Sequence, residues 1–298
     1  MIAYFSAKVY RNSGRANLVL RYRTRRTMQH EAGVGIEAHN RYGACRWEGG
    51  AATHSDEAVA EEVPVALVYN GISHAVMLAT PLDLEDFALG FSLSECIVGR
   101  SGEIHDLEIL ERDNGIEVHM QLSGERAHAL KEHRRTLAGR TGCGLCGTES
   151  LDQLARRVAT IRSSAVLSEG ALPRALSGLQ EMQHLFHLTG AVHAAAWCDV
   201  DGAIDLVRED VGRHNALDKL IGSLASQRRA FDGGFVLMTS RASYEIVQKA
   251  AAVGIAVVAA VSAPTGMAVR VAIDSGVTLI GFVRGERHCV YSHPERVH

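Results

Sequence analysis

An alternation in the last quarter of the chain constrains the fold more than any other feature. Apolar stretches at Phe235 to Met238, Ile255 to Val261 and Val277 to Phe282 are separated by helical periodicity at Tyr244 to Ala252 and Met267 to Ala272. Strand, helix, strand, helix, strand in that order implies a parallel sheet with right-handed crossovers, because each helix must return over one face before the next strand can start beside the last. Ligands of such sheets bind beyond the carboxyl ends of the strands. Those ends carry Thr239-Ser240-Arg241-Ala242-Ser243, Ser262-Ala263-Pro264-Thr265 and Phe282-Val283-Arg284-Gly285-Glu286-Arg287. Hydroxyls, helix N-termini and arginines there suit phosphates, and the chain has no glycine-rich loop ending in Gly-Lys-Ser or Gly-Lys-Thr. Phe282 beside arginines also suits a purine base, although packing is the ordinary role of one phenylalanine.

Upstream the pattern differs. Val63 to Tyr69 and Ile72 to Leu78 flank Asn70-Gly71 as a hairpin, and Leu107 to Leu110 and Ile116 to Leu122 flank Asn114-Gly115. Between them Leu84, Phe87, Ala88 and Phe91 make one helical face, opened by Thr80-Pro81. Residues 61–140 therefore read as a small α+β domain. A second helix is expected from Ser150, where Ser150 and Gln153 match a capping box and Leu151, Leu154, Ala155, Val158 and Ile161 share a face. Ala194 to Val200 and Ala203 to Val207 read as a hairpin around Asp201-Gly202, followed by a helix with Leu217, Leu220, Ile221 and Leu224 on one side. The expected class is α/β: a small N-terminal α+β domain, a mobile loop at 141–149, and a larger domain over 150–298 with a mixed, partly parallel sheet.

Composition excludes several roles. The 298 residues carry a net charge of -3 and are 47% hydrophobic, so a sizeable core is expected, without global attraction to nucleic acid or a membrane surface. The longest apolar stretch, Ala250 to Ala263, falls short of the roughly 20 residues that a bilayer span needs. Residues 1–60 begin with a basic arm, Lys8, Arg11, Arg15, Arg21, Arg23, Arg25 and Arg26 preceding the first acid at Glu31, and are expected to be a poorly ordered extension. Six scattered cysteines without a charged-then-apolar leader fit reduced thiols in the cytoplasm.

Two of those cysteines carry the sharpest motif, Gly142-Cys143-Gly144-Leu145-Cys146-Gly147. Flanking glycines leave the sulfurs uncovered, and a following helix start with Arg140 nearby favours thiolate, the nucleophilic form. Such a thiolate can take the outer sulfur from a donor persulfide, hold it and pass it on, with the second cysteine as relay or resolving thiol. Zinc is the competing reading, but a closed site needs four ligands and Cys45, Cys96, Cys198 and Cys289 are scattered. A thioredoxin-like dithiol lacks its preceding strand, and the same absence rules out a dinucleotide fingerprint despite the glycine spacing.

The second motif is the polar run Arg208-Glu209-Asp210-Val211-Gly212-Arg213-His214-Asn215, placed between a strand and a helix beginning near Ala216. Such a run suits an anion site; a solvated turn with internal salt bridges is the plainer alternative. His193 precedes an apolar strand and is a weaker candidate by itself.

With these stretches together, the chain from Glu61 to Pro294 resembles the FdhD family of formate dehydrogenase accessory sulfurtransferases. The resemblance rests on Val68-Tyr69-Asn70-Gly71, Thr80-Pro81, Gly90-Phe91, the Cys143 to Gly147 motif, Arg208 to Ala216 with Asp218-Lys219, Ser240 to Glu245, Ser262-Ala263-Pro264 and Gly281 to Arg284. It implies that a cysteine desulfurase loads Cys143, with Cys146 assisting. The sulfur then passes to a molybdenum or tungsten bis(molybdopterin guanine dinucleotide) cofactor, held as bound substrate and not permanently, before insertion into formate dehydrogenase. It further implies a cytidine-deaminase-like larger domain, a homodimer, and cofactor contacts from Phe282, Val283, Arg284, Gly285, Glu286 and Arg287. His193, Arg213, His214, Ser240 and Arg241 join these as candidate contacts. No metal ligands, nucleic acid or membrane enter this expectation. Deaminase chemistry does not follow, since His193 is followed by Ala194-Ala195 and the cysteine pair lies upstream. A non-catalytic cofactor chaperone and a dithiol oxidoreductase are the alternative functions.

Overall fold

The computed structural model describes residues 10–12, 15–17, 36–130 and 160–298. Cys143, Cys146 and the helix expected from Ser150 lie outside these residues, except for its last expected position. That residue, Ile161, is not helical, and its N–H donates to Ser275 O instead.

Four strands form the first sheet: β5 (Val63–Tyr69), β6 (Ile72–Ala79), β7 (Ile104–Arg112) and β8 (Gly115–Leu122), in spatial order β6-β5-β8-β7. The turn expected at Asn70-Gly71 is present, and the one expected at Asn114-Gly115 falls one residue earlier, at Asp113-Asn114, with Gly115 opening β8. Asn70 and Gly71 adopt positive φ and join Tyr69 to Ile72 in register, as a two-residue hairpin requires. The inward residues Val65, Leu67, Tyr69, Ile116, Val118 and Met120 are buried against α1 (Leu84–Ser94), whose Phe87, Ala88 and Phe91 supply the predicted apolar stripe.

The second sheet has six strands: β9 (His193–Asp199), β10 (Ile204–Asp210), β11 (Gly234–Met238), β12 (Val257–Ala260), β13 (Thr278–Arg284) and β14 (Arg287–Ser292), ordered β10-β9-β11-β12-β13-β14. β11, β12 and β13 pair in parallel, and the other pairings are antiparallel. The predicted mixed α/β class is therefore observed, with α4 (Arg213–Ser226), α5 (Tyr244–Ala252) and α6 (Gly266–Ser275) as the connecting helices. Strict period-two burial splits the strands between two cores. Ala195, Trp197, Val236 and Met238 face the first, whereas Ala194, Ala196, Cys198, Phe235 and Leu237 face the second, under α2 (Ala171–Met182).

The first core is continuous across both sheets, because α1 lies directly on α4. Contact at the crossing is backbone to backbone. A Cβ on Gly90 would stand 1.7 Å from Asp218 O, and one on Gly222 would stand 1.8 Å from Asp86 O. Glycine is required at both positions.

Residues 36–60 differ from the expected extension. β3 (His39–Glu48) and β4 (Ala51–Ala60), ten residues each, form an antiparallel hairpin closed by Gly49-Gly50, both at positive φ. Most of its side chains are exposed on both faces. Its base packs where Ala38 and Ala60 meet Leu185 and Val192 beside α3 (His184–Thr189). Further upstream, β1 (Tyr10–Asn12) pairs with β2 (Arg15–Asn17). Among the described residues no helix is long and apolar enough to cross a membrane.

Candidate functional site

One edge of the six-stranded sheet gathers nearly every polar residue singled out in the sequence. β9 runs antiparallel to both β10 and β11, so the start of β9 lies beside the ends of those two strands: His193 pairs with Asp210, and Ala194 N donates to Thr239 Oγ1 at 2.9 Å. Backbone bonds continue the edge. Val261 N donates to Met238 O, Thr265 N to Ala242 O, and Phe282 N to Ser262 O. From Arg213, beyond β10, to Phe282, at the end of β13, the edge crosses four strand intervals, about 19 Å at the usual spacing.

The polar run after β10 is tighter than the sequence implied. β10 continues through Asp210 and α4 begins at Arg213, leaving Val211-Gly212 as the connection. Arg208 is taken up by Asp86, with Nη2 2.7 Å from Oδ2, and by Ser223. Glu209 accepts the first free N–H groups of α3 from Leu185 and Phe186. Asp210 and Lys219 form an ion pair at 2.7 Å with both side chains wholly buried. The solvated-turn reading does not describe this segment.

Arg213 and His214 remain beside His193. His214 Nε2 lies 2.8 Å from Glu245 Oε2 and 3.3 Å from Ser243 Oγ, which sets it against the start of α5. Arg213 Nε is buried and makes no hydrogen bond among the described residues. His193 is half-buried, and its pKa is lowered by burial first and by the Arg213 charge second. The lowered pKa favours the neutral imidazole, whose ring N–H can donate one hydrogen bond to an anionic ligand beside the unpartnered Arg213 Nε.

At the middle of the edge, Ser240 is buried and its hydroxyl donates to Arg241 O, while Arg241 is exposed. At the far end, Arg284 and Arg287 pair across the β13–β14 turn formed by Gly285-Glu286. Phe282 is 38% exposed and holds φ at 55°, a conformation strained for a bulky residue. The Arg284 guanidinium lies 5.9 Å from its ring centroid. Val283 faces inward and belongs to the second core, so its side chain does not line the edge.

Sequence reasoning named the groups beneath this surface but missed the bonds that join them. Thr80, Asp210, Asn215 and Lys219 interlock there, and no periodic or motif signal predicts bonds between Thr80 and residues some 130 positions away. Of the cysteines, Cys45, Cys96 and Cys289 are exposed, and Cys198 is buried with its pKa raised, first by burial. No group of three or more histidine, cysteine or acidic residues suited to a metal ion occurs among the described residues.

Fold and edge together define a mixed α/β protein with cationic groups gathered at the strand ends of its six-stranded sheet. Residues 60–298 match the FdhD/NarQ family, and the chain belongs to it. It is similar to the sulfur carrier protein FdhD of Cupriavidus necator, 58% identical over 259 residues covering 87% of this chain and 90% of that one. The FdhD of Bordetella petrii, also described as a sulfur carrier protein, is 55% identical over 83% of this chain and 89% of its own. A crystal structure from Desulfotalea psychrophila, described as a formate dehydrogenase accessory protein, shares the fold with a TM-score of 0.70. It is 24% identical and covers 88% of this chain and 100% of its own.

Proposed function

We propose that this chain is a cytoplasmic sulfurtransferase of formate dehydrogenase maturation. Cys143 carries a persulfide supplied by a cysteine desulfurase, and the strand-end edge holds the molybdenum or tungsten bis(molybdopterin guanine dinucleotide) that receives the sulfur. In the loading step the Cys143 thiolate attacks the outer sulfur of the donor persulfide. A new S–S bond forms at Cys143, the donor S–S bond breaks, and the donor leaves as a thiolate. Cys146 stands three residues on as relay or resolving thiol. The active form is a homodimer, and formate dehydrogenase receives the sulfurated cofactor.

The observation that carries this reading is the convergence of His193, Arg213 and His214 with Phe282, Arg284 and Arg287 on a single edge of one sheet. An edge of about 19 Å with cations at both ends matches an elongated, multiply phosphorylated ligand better than a compact one. Phe282 offers a ring to a guanine base at one end. Support for the sulfur chemistry comes from the relatives described as sulfur carriers, which are more than 50% identical to this chain.

Two measurements test the proposal. After incubation with a cysteine desulfurase and cysteine, peptide mass spectrometry is expected to place one additional sulfur on Cys143. A loop that stays unmodified during turnover overturns the carrier role. In a thermal-shift titration GDP is expected to raise the melting temperature, since a ligand bound only by the folded state stabilises it. Reversible Cys143–Cys146 disulfide cycling without any GDP response would instead identify a dithiol oxidoreductase. Full maturation activity in Cys143→Ala would identify a cofactor chaperone.

A further inference from the structure

We propose that Thr80, on the loop leaving the small sheet, is a positioning residue for the anion-binding turn of the large one. It acts through Val211 and Asp210 on Arg213. This rests on the reading of the strand-end edge as a phosphate-binding surface and names how one end of it is held.

Thr80 is fully buried, and all three of its polar groups point at the same target. Its N–H donates to Asp210 Oδ2 at 3.0 Å, its carbonyl accepts from Lys219 Nζ at 3.0 Å, and its Oγ1 accepts from Val211 N at 3.2 Å. Asp210 is saturated in turn. Oδ1 accepts from Gly212 N at 2.8 Å and Asn215 Nδ2 at 2.9 Å, and Oδ2 accepts from Thr80 N and Lys219 Nζ. Asn215 also donates to Leu78 O at 2.8 Å, a second tie to the same end of β6. The connection Val211-Gly212 is therefore bonded on both sides of its only two residues.

A buried ion pair is weak evidence for stability, because apolar residues of the same volume often do as well. What packing does not supply is a fixed register for the chain between β10 and α4. Arg213 needs that register. Its Nε makes no hydrogen bond among the described residues, so the start of α4 sets where its guanidinium stands relative to His193. Thr80 thus links the two sheets at the point where the geometry of a ligand contact is decided.

The test uses the full chain, GDP as probe, and calorimetric titration of wild type, Thr80→Val, Thr80→Ser, Arg213→Gln and Thr80→Val/Arg213→Gln. Valine keeps the shape and both backbone bonds but deletes the Oγ1 acceptor. Thr80→Val is expected to weaken GDP binding about tenfold, the scale of a contact-residue coupling, while cooperative unfolding is retained. Thr80→Ser is expected to restore affinity to within about threefold, because the hydroxyl returns. If Thr80 works through Arg213, its substitution costs nothing further in the Arg213→Gln background, whereas a purely structural role costs the same in both. Equal affinity of Thr80→Val and wild type overturns the inference, as does full additivity, and so does wild-type affinity in Arg213→Gln. Absence of GDP binding by the wild type would count against the proposed function instead. Positioning is then still decided by the imidazole proton resonances of His193 and His214. These are expected to shift in Thr80→Val and return in Thr80→Ser, and unchanged resonances reject the inference.

Discussion

Asp218 and Lys249 form the lower of two rungs between α4 and α5: their 3.0 Å ion pair lies one turn below the 2.8 Å contact of His214 Nε2 with Glu245 Oε2. Each partner sits four residues after its counterpart on the same helix, so both rungs join the same pair of faces. The upper rung is partly exposed at the candidate edge, and the lower one is buried. Burial pushes the Asp218 carboxyl upward, opposed by Lys249 and by the Ser94 hydroxyl, which donates to it at 2.6 Å. Burial also works against the Lys249 charge, but Asp218 and Glu95 outweigh it and leave the pKa above its ordinary value. Lys249→Met removes one partner and strands the other in the core. The expected cost is about 3 kcal/mol, measured as a lower denaturant midpoint with an unchanged m-value.

His193 makes stability depend on pH in a stated direction. Its folded pKa lies below the ordinary value of about 6.5 because burial, and then Arg213, disfavour the imidazolium. The unfolded chain then binds more protons between the folded pKa and 6.5, so this contribution is intact above 6.5 and is lost as pH falls through the folded pKa. His193→Gln does not titrate. Melting temperatures taken from pH 7.5 down to pH 5 are expected to fall less steeply in His193→Gln than in the wild type, and parallel curves would remove His193 from the account.

The α1–α4 crossing tolerates no side chain. A Cβ on Gly90 would overlap the carbonyl of Asp218, which is backbone and cannot rotate aside. Gly90→Ala is expected to destabilise by about 3 kcal/mol, the upper end of ordinary overpacking. Gly124→Ala meets nothing within 4 Å and serves as the control in the same chemical denaturation series.

The parallel strands and their helices were legible because alternation of element type is a local property. β11, β12 and β13 fall within a few residues of their expected positions. The hairpin of β3 and β4 was not. Its Gly49-Gly50 turn is a recognisable hairpin signal, yet the flanking strands lack apolar alternation, since both of their faces are largely exposed. The sequence marks the polar run from Arg208 as special but does not show how short the connection is, because Arg208, Glu209 and Asp210 are strand residues that spend their charges on distant partners. Val283 illustrates the same limit. Motif membership put it with its neighbours, while strand alternation turns it into the second core.

Phe282 combines a strained backbone with a partly exposed aromatic ring at the edge. Its backbone lies at φ 55°, where a Cβ-bearing residue costs about 1 kcal/mol or more, and glycine adopts that conformation without strain. The ring is 38% exposed, so the larger part of its surface is covered and is given up on truncation, and the Arg284 guanidinium lies 5.9 Å from its centroid. Phe282→Gly is therefore expected to lower the melting temperature of the free protein by no more than a few degrees, the relief of strain offsetting part of the lost burial and of the added freedom of the unfolded chain. The same substitution removes the phenyl face among the candidate contacts, and stacking of a base on such a face is worth about 1–3 kcal/mol. GDP binding is expected to weaken at least fivefold, by titration calorimetry. A large loss of thermal stability together with unaltered GDP affinity would make Phe282 a packing residue and leave the guanine end of the ligand without a platform.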